Sequence, residues 1–410
     1  MKILGIETSC DETALSLLDI EESKNSNTPK IETLSSELYS QVDIHKEYGG
    51  VFPTLAKREH SKNLVPLLIK LLSKTDIEFL GAETLENNES RFNLSENQIK
   101  TLNEIFEREP ELLESFLKYI PKINRPDIDL ISVTYGPGLE PALWVGINFA
   151  RALSYIWDIP VIGANHMEGH IVSVLKNVER KLDFPTIALL ISGGHTELVL
   201  VRDWGDYEII GQTLDDAAGE AFDKVARLLD LPYPGGPEIS KLAEQARGEK
   251  IKNNDINESG KNHTDQNLEK ITLPRPMLKT DNYHFSFSGL KTAVLYLVKK
   301  IKETEKELSP EIKKEIALEF ENAVTEVLLH KTKKAIQNFQ AVNLIIGGGV
   351  IANKHIRETF KNQLDLNVMI PEIDLATDNA VMIAIAGYFK SKREEPKIFP
   401  IIKAEGNLAF

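Results

Sequence analysis

Ile3-Leu4-Gly5-Ile6-Glu7-Thr8-Ser9-Cys10-Asp11-Glu12-Thr13-Ala14-Leu15-Ser16-Leu17-Leu18 sets a short polar turn between two apolar runs. Ile3, Leu4 and Ile6 lead in, and Ala14, Leu15, Leu17 and Leu18 lead out, which is the pattern of a strand hairpin. The pattern recurs in mid-chain, where Ile187 to Ile191 and Leu198 to Val201 flank Ser192-Gly193-Gly194-His195-Thr196. A turn of Gly, Ser and Thr can aim backbone N–H groups and hydroxyls at an anion. Two equivalent hairpins in one chain therefore predict a duplicated α/β fold with a phosphate between its halves.

The 410 residues, 42% of them hydrophobic, suffice for a large core and predict two domains. A formal charge of −14 argues against coating nucleic acid or an anionic membrane by bulk electrostatics. Lys57-Arg58, Lys279, Lys291 and Lys354-His355-Arg357 are the positions from which a local basic track could be built, although solvated surface is the simpler reading. Cys10 has no second cysteine to pair with, which fits a reducing compartment. Met1 to Ile6 enters a polar turn without a signal-like apolar region, and no apolar run approaches the ~20 residues of a membrane span. A cytoplasmic location is expected.

Outward from the first hairpin, a polar connection over Glu21 to Lys30 precedes a short strand ending near Val42. Leu64, Val65, Leu67, Leu68 and Leu71 give Leu55 to Leu72 helical spacing, with Pro66 as a point of kinking or division. Asp127 to Thr134 reads as a strand that delivers Gly136-Pro137-Gly138 and a helix from Ala142 to Tyr155. Thr75 to Arg125 reads as a polar insertion carrying one amphipathic helix with Leu102, Ile105, Phe106, Leu112, Leu113, Phe116 and Leu117. It is expected at the rim of the first domain, as an interaction module.

In the second half, Asp215 to Leu229 and Glu311 to Asn338 read as helical, and Tyr233-Pro234-Gly235-Gly236-Pro237 as a turn. Glu249 to Lys270 has almost nothing to bury and is expected to be a mobile loop. The strand Val342 to Ile346 runs into Gly347-Gly348-Gly349 and a helix starting near Ala352-Asn353. Strand, glycines and helix place bare backbone and a helix N-terminus beside a ligand, as a nucleotide site needs. The expected domains are 1–180, with the insertion 75–125 and joined by a C-terminal helix 380–410, and 181–379, with the loop 249–270.

His166-Met167-Glu168-Gly169-His170 follows the short strand Val161-Ile162. On a helix, histidines at i and i+4 share a face and can share a metal. The zinc-peptidase pattern needs a glutamate directly after the first histidine; Glu168 is one position late, so peptidase chemistry is disfavoured. Thr377-Asp378-Asn379, ahead of a helix over Ala380 to Tyr388, offers a carboxylate as third ligand. Two histidines and one carboxylate suit iron(II) or zinc.

Together with Asp215-Asp216-Ala217-Ala218-Gly219-Glu220-Ala221-Phe222-Asp223-Lys224 and Phe285-Ser286-Phe287-Ser288-Gly289-Leu290-Lys291-Thr292, these stretches resemble the bacterial TsaD (Gcp) family over nearly the whole chain outside the two insertions. The family comprises tRNA N6-adenosine threonylcarbamoyltransferases of the duplicated actin/Hsp70-like ATPase (ribonuclease H-like) fold. His195 stands where archaeal and eukaryotic relatives usually carry asparagine, and Glu140-Pro141 stand where the family usually has small or aliphatic residues.

The resemblance implies transfer of a threonylcarbamoyl group from threonylcarbamoyl-AMP to N6 of adenosine 37 in tRNAs reading codons that start with A, with release of AMP. It implies His166, His170 and Asp378 as ligands of one divalent metal per subunit, usually assigned as iron, with zinc as the other choice. It implies substrate-binding positions at Leu190, Ile191, Ser192, Gly193, Gly194, Asp223, Gly236 and Asn353, and acidic residues near the reacting groups at Asp11 and Glu12. Its partners would be tRNA, a TsaB paralogue and a TsaE ATPase, without a membrane. A small-molecule kinase on the same fold is the alternative, and it leaves the histidine pair idle.

Overall fold

The computed structural model describes residues 1–24, 26–75, 93–178, 181–258, 271–305 and 307–410. They form two compact units, Met1–Leu182 with Thr377–Phe410, and Asp183–Ala376. The boundary after Ala376 lies ahead of the residue-379 boundary read from the sequence, which assigns Asp378 to the same unit as His166 and His170.

In the first unit, β1 (Lys2–Glu7) pairs antiparallel with β2 (Glu12–Glu21), and β2 pairs antiparallel with β3 (Lys30–Ser40). On its other side β1 runs parallel to β4 (Leu130–Gly136), followed by β5 (Pro160–Asn165) and a two-residue edge strand, Lys397–Ile398. Side chains alternate across a strand. Leu4 and Ile6 enter a cluster with Leu64, Leu68, Val145 and Phe149 from the helices Pro53–Leu72 and Glu140–Trp157. At Gly5 the strand meets the backbone of the helix Ala380–Ser391. A strand covered on both faces must be apolar throughout, which is why β1 is so legible.

Several local expectations are corrected. The helix expected over 380–410 ends at Ser391, and Lys397–Ile398 is a strand. The helix Pro53–Leu72 runs unbroken through Pro66, whose ring is exposed. Glu140-Pro141 do not disturb the next helix; they form its first turn, where a proline's missing N–H costs nothing. The single helix expected in the insertion is two, Glu96–Ile105 and Pro110–Tyr119. Pro110 disfavours helical backbone at the preceding residue, and Glu109 sits at φ −130°, ψ 60°. The described part of this segment packs into the first unit, with Leu102, Ile105, Phe106, Leu112 and Phe116 in that unit's core. Residues 76–92 of the insertion lie outside the described residues.

The second unit repeats the plan. β6 (Thr186–Ile191) pairs antiparallel with β7 (Thr196–Asp203), which pairs antiparallel with β8 (Asp206–Gln212). β6 also runs parallel to β9 (Asn343–Gly347), which runs parallel to β10 (Asn367–Met369). The order β3-β2-β1-β4-β5 is therefore matched, strand for strand and sense for sense, by β8-β7-β6-β9-β10. This is the duplicated ribonuclease H-like arrangement of the actin/Hsp70-like ATPases.

The expected helix from Asp215 begins only at Ala218, because Asp215 is engaged elsewhere: its carboxylate accepts N–H bonds from Phe287 (2.8 Å) and Ser288 (3.2 Å) and the hydroxyls of Ser286 and Ser288. The helices expected over Glu311 to Asn338 are one, Pro310–Phe339. The loop expected over 249–270 is helical as far as Glu258, the end of the helix Gly235–Glu258; residues 259–270 lie outside the described residues. No described helix is long and apolar enough to cross a membrane.

Candidate metal centre and nucleotide pocket

Asn165 ends β5 and caps the helix His166–Val172, its Oδ1 accepting the N–H groups of Met167 (2.8 Å) and Glu168 (3.3 Å). This makes His166 the first helical residue and puts His170 one turn later, with ring centroids 4.8 Å apart. Asp378 is delivered by the turn before the helix Ala380–Ser391, where Asn379 Oδ1 caps by accepting from Met382 N–H (3.0 Å). The two helices pack closely because residue 169 is glycine; a Cβ there would lie 3.1 Å from Met382 Cγ and 3.2 Å from Ile383 Cδ1.

Asp378 Oδ1 lies 3.4 Å from His166 Nε2 and 3.2 Å from His170 Nε2. One ligand atom from each of the three residues falls within 4.8 Å of the others, so the group could hold a metal ion. The donor set fits such an ion. His170 is buried, and neither of its ring nitrogens has a hydrogen-bond partner of proper geometry despite the proximity of Asp378. A buried imidazole left in that condition is costly unless a ligand completes it.

Glu7, which was not singled out in the sequence, completes the arrangement. Fully buried at the end of β1, it accepts from Ser9 N–H and from the Thr134 hydroxyl (2.6 Å), and its Oε2 lies 3.2 Å from His166 Nδ1. A carboxylate on the far ring nitrogen fixes the tautomer and turns Nε2 toward the metal position. The available signal was a lone acid closing an otherwise buried apolar strand.

The electrostatics agree. Burial penalises the charged form of His166, but the Asp378 and Glu7 carboxylates outweigh it and raise its pKa well above the usual imidazole value. They would stabilise a metal cation in the same way. Burial holds His170 below the ordinary value, hence neutral and able to ligate. Burial opposes ionisation of Asp378 too, yet the two imidazoles keep it well below the usual carboxylate range.

Asp11 and Glu12 sit on the hairpin turn of the same unit. Burial, then the nearby Asp11 and Asp378 carboxylates, push Glu12 well above the usual carboxylate range. Cys10, in the same turn, has its thiol pushed up by burial and by Asp11, which disfavours the nucleophilic thiolate. Glu168 faces away from the histidines and pairs with Arg393 at 3.0 Å. It is committed to that ion pair, as its displaced position in the motif anticipated.

In the second unit a cavity of about 470 Å³ is lined by Gly193, Asp223, Gly236, Gly349 and Asn353 among others. It thus brings together four of the sequence-predicted substrate positions. Leu190 and Ile191 are not among its lining; they are fully buried members of β6. Ser192 and Gly194 are also absent from the lining; Ser192 closes the turn, its Oγ accepting from His195 N–H (3.0 Å). Asp223 Oδ1 accepts from Gly235 N–H at 2.7 Å, and burial nevertheless raises its pKa. Asn353 caps the helix Lys354–Gln363 through Oδ1 to Ile356 N–H (3.0 Å) and donates Nδ2 to Glu321 (2.7 Å). Gly348, at φ 90° and against the Ile191 carbonyl, is where the turn requires glycine.

With the geometry in place, comparison with known proteins is direct. The family described as "TsaD: tRNA N6-adenosine threonylcarbamoyltransferase" matches residues 32–82 and 107–385. The chain is 41% identical over 391 residues to the tRNA N6-adenosine threonylcarbamoyltransferase of Thermosipho africanus, covering 95% of this chain and 94% of that one. It is 38% identical to the protein of the same description in Chromobacterium violaceum, covering 97% and 95%. The family match resumes at 107, so the helix Pro110–Tyr119 is part of the family domain and the segment outside the match is narrower than 75–125. The chain belongs to the TsaD family.

Proposed function

We propose that this protein transfers a threonylcarbamoyl group from threonylcarbamoyl-AMP to N6 of adenosine 37 in tRNAs reading codons that start with A. The observation that carries this reading is the group of buried His166 and His170 with half-buried Asp378, backed by Glu7, within a chain matched to the family over most of its length. A kinase on the same fold would leave that group without use, and the Glu168–Arg393 pair removes the peptidase base.

The exocyclic amine of adenine is a weak nucleophile, so the acyl donor must be activated and the reactants oriented. In the second unit, the cavity between the β6–β7 turn and the start of the helix Lys354–Gln363 would take the adenylate, with Asp223, held by backbone N–H groups of Gly235 and Gly236, as an acceptor for a hydroxyl. N6 attacks the carbamoyl carbon, the bond to the phosphate oxygen breaks, and AMP departs with the electron pair. The proton leaving N6 needs a base. Glu12, whose pKa is raised by burial and by neighbouring carboxylates, fits that role, and Asp11 is the first of those neighbours.

His166, His170 and Asp378 would hold one divalent ion per subunit, which when bound supplies positive charge for the donor's phosphate, carboxylate or carbonyl oxygen. Two histidines and one carboxylate with open positions suit iron(II) first and zinc second. A TsaB paralogue and a TsaE-type ATPase are the expected partners, in the cytoplasm.

The test is to incubate the protein with threonylcarbamoyl-AMP, unmodified tRNA, metal and candidate partners, then to analyse the tRNA nucleosides by mass spectrometry. Modified adenosine appearing only with donor present supports the assignment. Its absence with verified partners and metal overturns it. Metal analysis of anaerobically purified protein decides between iron and zinc.

A further inference from the structure

Two large aromatic side chains stand in water beside the first hairpin turn. Tyr48 and Phe52 are 62% and 52% exposed, and their rings stack with centroids 5.8 Å apart and planes at 23°. They lie in the connection between β3 and the helix Pro53–Leu72, where Gly49 at φ 66° turns the chain. Scattered exposed apolar residues are ordinary, but two adjoining rings make a contiguous patch.

That connection is wired to the Asp11–Glu12 turn. Gln41 N–H donates to the Asp11 carbonyl (2.9 Å), His45 Nε2 donates to Gln41 Oε1 (3.1 Å), and Phe52 N–H donates to His45 Nδ1 (3.3 Å). His60 Nε2 donates to the Cys10 carbonyl (3.0 Å), and its Nδ1 accepts from the Thr13 hydroxyl (2.7 Å). Gln41, His45 and His60 are fully buried. The Phe52 amide and the Cys10 carbonyl dictate the donor on each ring, which is Nε2 in both. A buried polar network satisfied in this way is rigid.

We infer that Tyr48 and Phe52 form a stacking platform for a nucleobase of the RNA substrate, held in register with Asp11 and Glu12 by Gln41, His45 and His60. The inference rests on the transferase reading. An amine on a base can be acylated only when the base is drawn out of its stack, and proteins hold such bases against aromatic rings. Nearby cations do not make this a phosphate site: Lys46 pairs with Asp43, Lys57 with Glu109 and Arg58 with Glu111. Stacking, which every base can provide, is the chemistry the surface offers.

The experiment uses the full chain and an anticodon stem-loop RNA carrying 2-aminopurine beside the acceptor adenosine, whose fluorescence is quenched on stacking. Tyr48→Ala and Phe52→Ala should each weaken RNA binding by roughly 5- to 100-fold and abolish the quench. Tyr48→Trp and Phe52→Tyr should preserve both. The ring-dependent loss should be the same at low and high salt, unlike phosphate contacts. In the transfer assay the alanine variants should raise KM for RNA more than they lower kcat, with metal binding and thermal unfolding unchanged.

Wild-type RNA binding and quench in both alanine variants would overturn the platform, as would loss of a protein partner with RNA binding intact. Ring-dependent RNA binding in a protein that forms no modified adenosine would support the platform and sink the transferase reading. Transfer with ring-independent RNA binding would do the reverse.

Discussion

His166 and Glu7 are joined through the ring nitrogen that faces away from Asp378: Glu7 Oε2 is 3.2 Å from His166 Nδ1, while His166 Nε2 is 3.4 Å from Asp378 Oδ1. Replacing Glu7 by glutamine keeps the shape and some hydrogen bonding but removes the charge. Metal affinity should fall about 10- to 100-fold, the usual effect of losing an outer partner of a ligating histidine. Chelator competition measures it; unchanged affinity would show that Glu7 does not orient the ring.

The cap of the helix His166–Val172 has a second tie. Asn165 Nδ2 donates to the Ala409 carbonyl (3.0 Å), and the same segment is held by Gly138 N–H to Gly406 (3.1 Å) and Glu405 N–H to Tyr135 (2.8 Å). Asn165→Asp keeps the acceptor that caps the helix and loses the donor to Ala409. Both Asn165→Asp and removal of residues 405–410 should weaken metal binding by up to about tenfold. Asn165→Ala should in addition cost about 1 kcal/mol of stability through loss of the cap. Calorimetric metal titration and thermal unfolding separate the two effects.

His60 makes stability depend on pH. Burial lowers its pKa from 6.5 to about 4. Between those values the unfolded chain takes up a proton that the folded protein refuses, so this contribution is complete above about pH 6.5 and is lost as pH falls toward 4. The full effect is on the order of 3 kcal/mol. His60→Gln should be less stable at neutral pH, having lost part of the network, yet show a shallower decline between pH 6.5 and 4 in denaturant titrations. Parallel curves for the two proteins would contradict this.

Phe106 tests the role of the segment outside the family match. It is buried, with its ring 5.3 Å from Phe116, which in turn meets Phe149 edge-on at 6.2 Å. Phe106→Ala should destabilise the first unit by about 3–5 kcal/mol, as cavities in packed cores do. A loss below about 1 kcal/mol in chemical denaturation would instead mark the helix Glu96–Ile105 as a detachable module.

The His166–His170–Asp378 group was legible in sequence because its parts are local: two histidines at helical spacing and an acid before an apolar helix. Glu7 was not, because nothing adjacent in the chain signals that a strand end will meet His166 Nδ1. Asp215 was misplaced in a helix for the same reason: its partners, Ser286 to Ser288, are remote in sequence. Leu102, Ile105 and Phe106 gave a correct period, but periodicity reports that a face is buried and not what buries it.

By itself, the sequence determined the two hairpins, the strand-to-helix alternation and the helical spacing of His166 and His170, since short-range apolar patterning and turn chemistry act on neighbours along the chain. Tertiary structure alone decided that Asp378 joins the histidine-bearing unit, that Glu7 orients His166, and that Gln41, His45 and His60 tie Tyr48 and Phe52 to the first turn. Most of these contacts join residues remote in sequence, and the strength of the buried ones comes from burial, which exists only once the chain has folded.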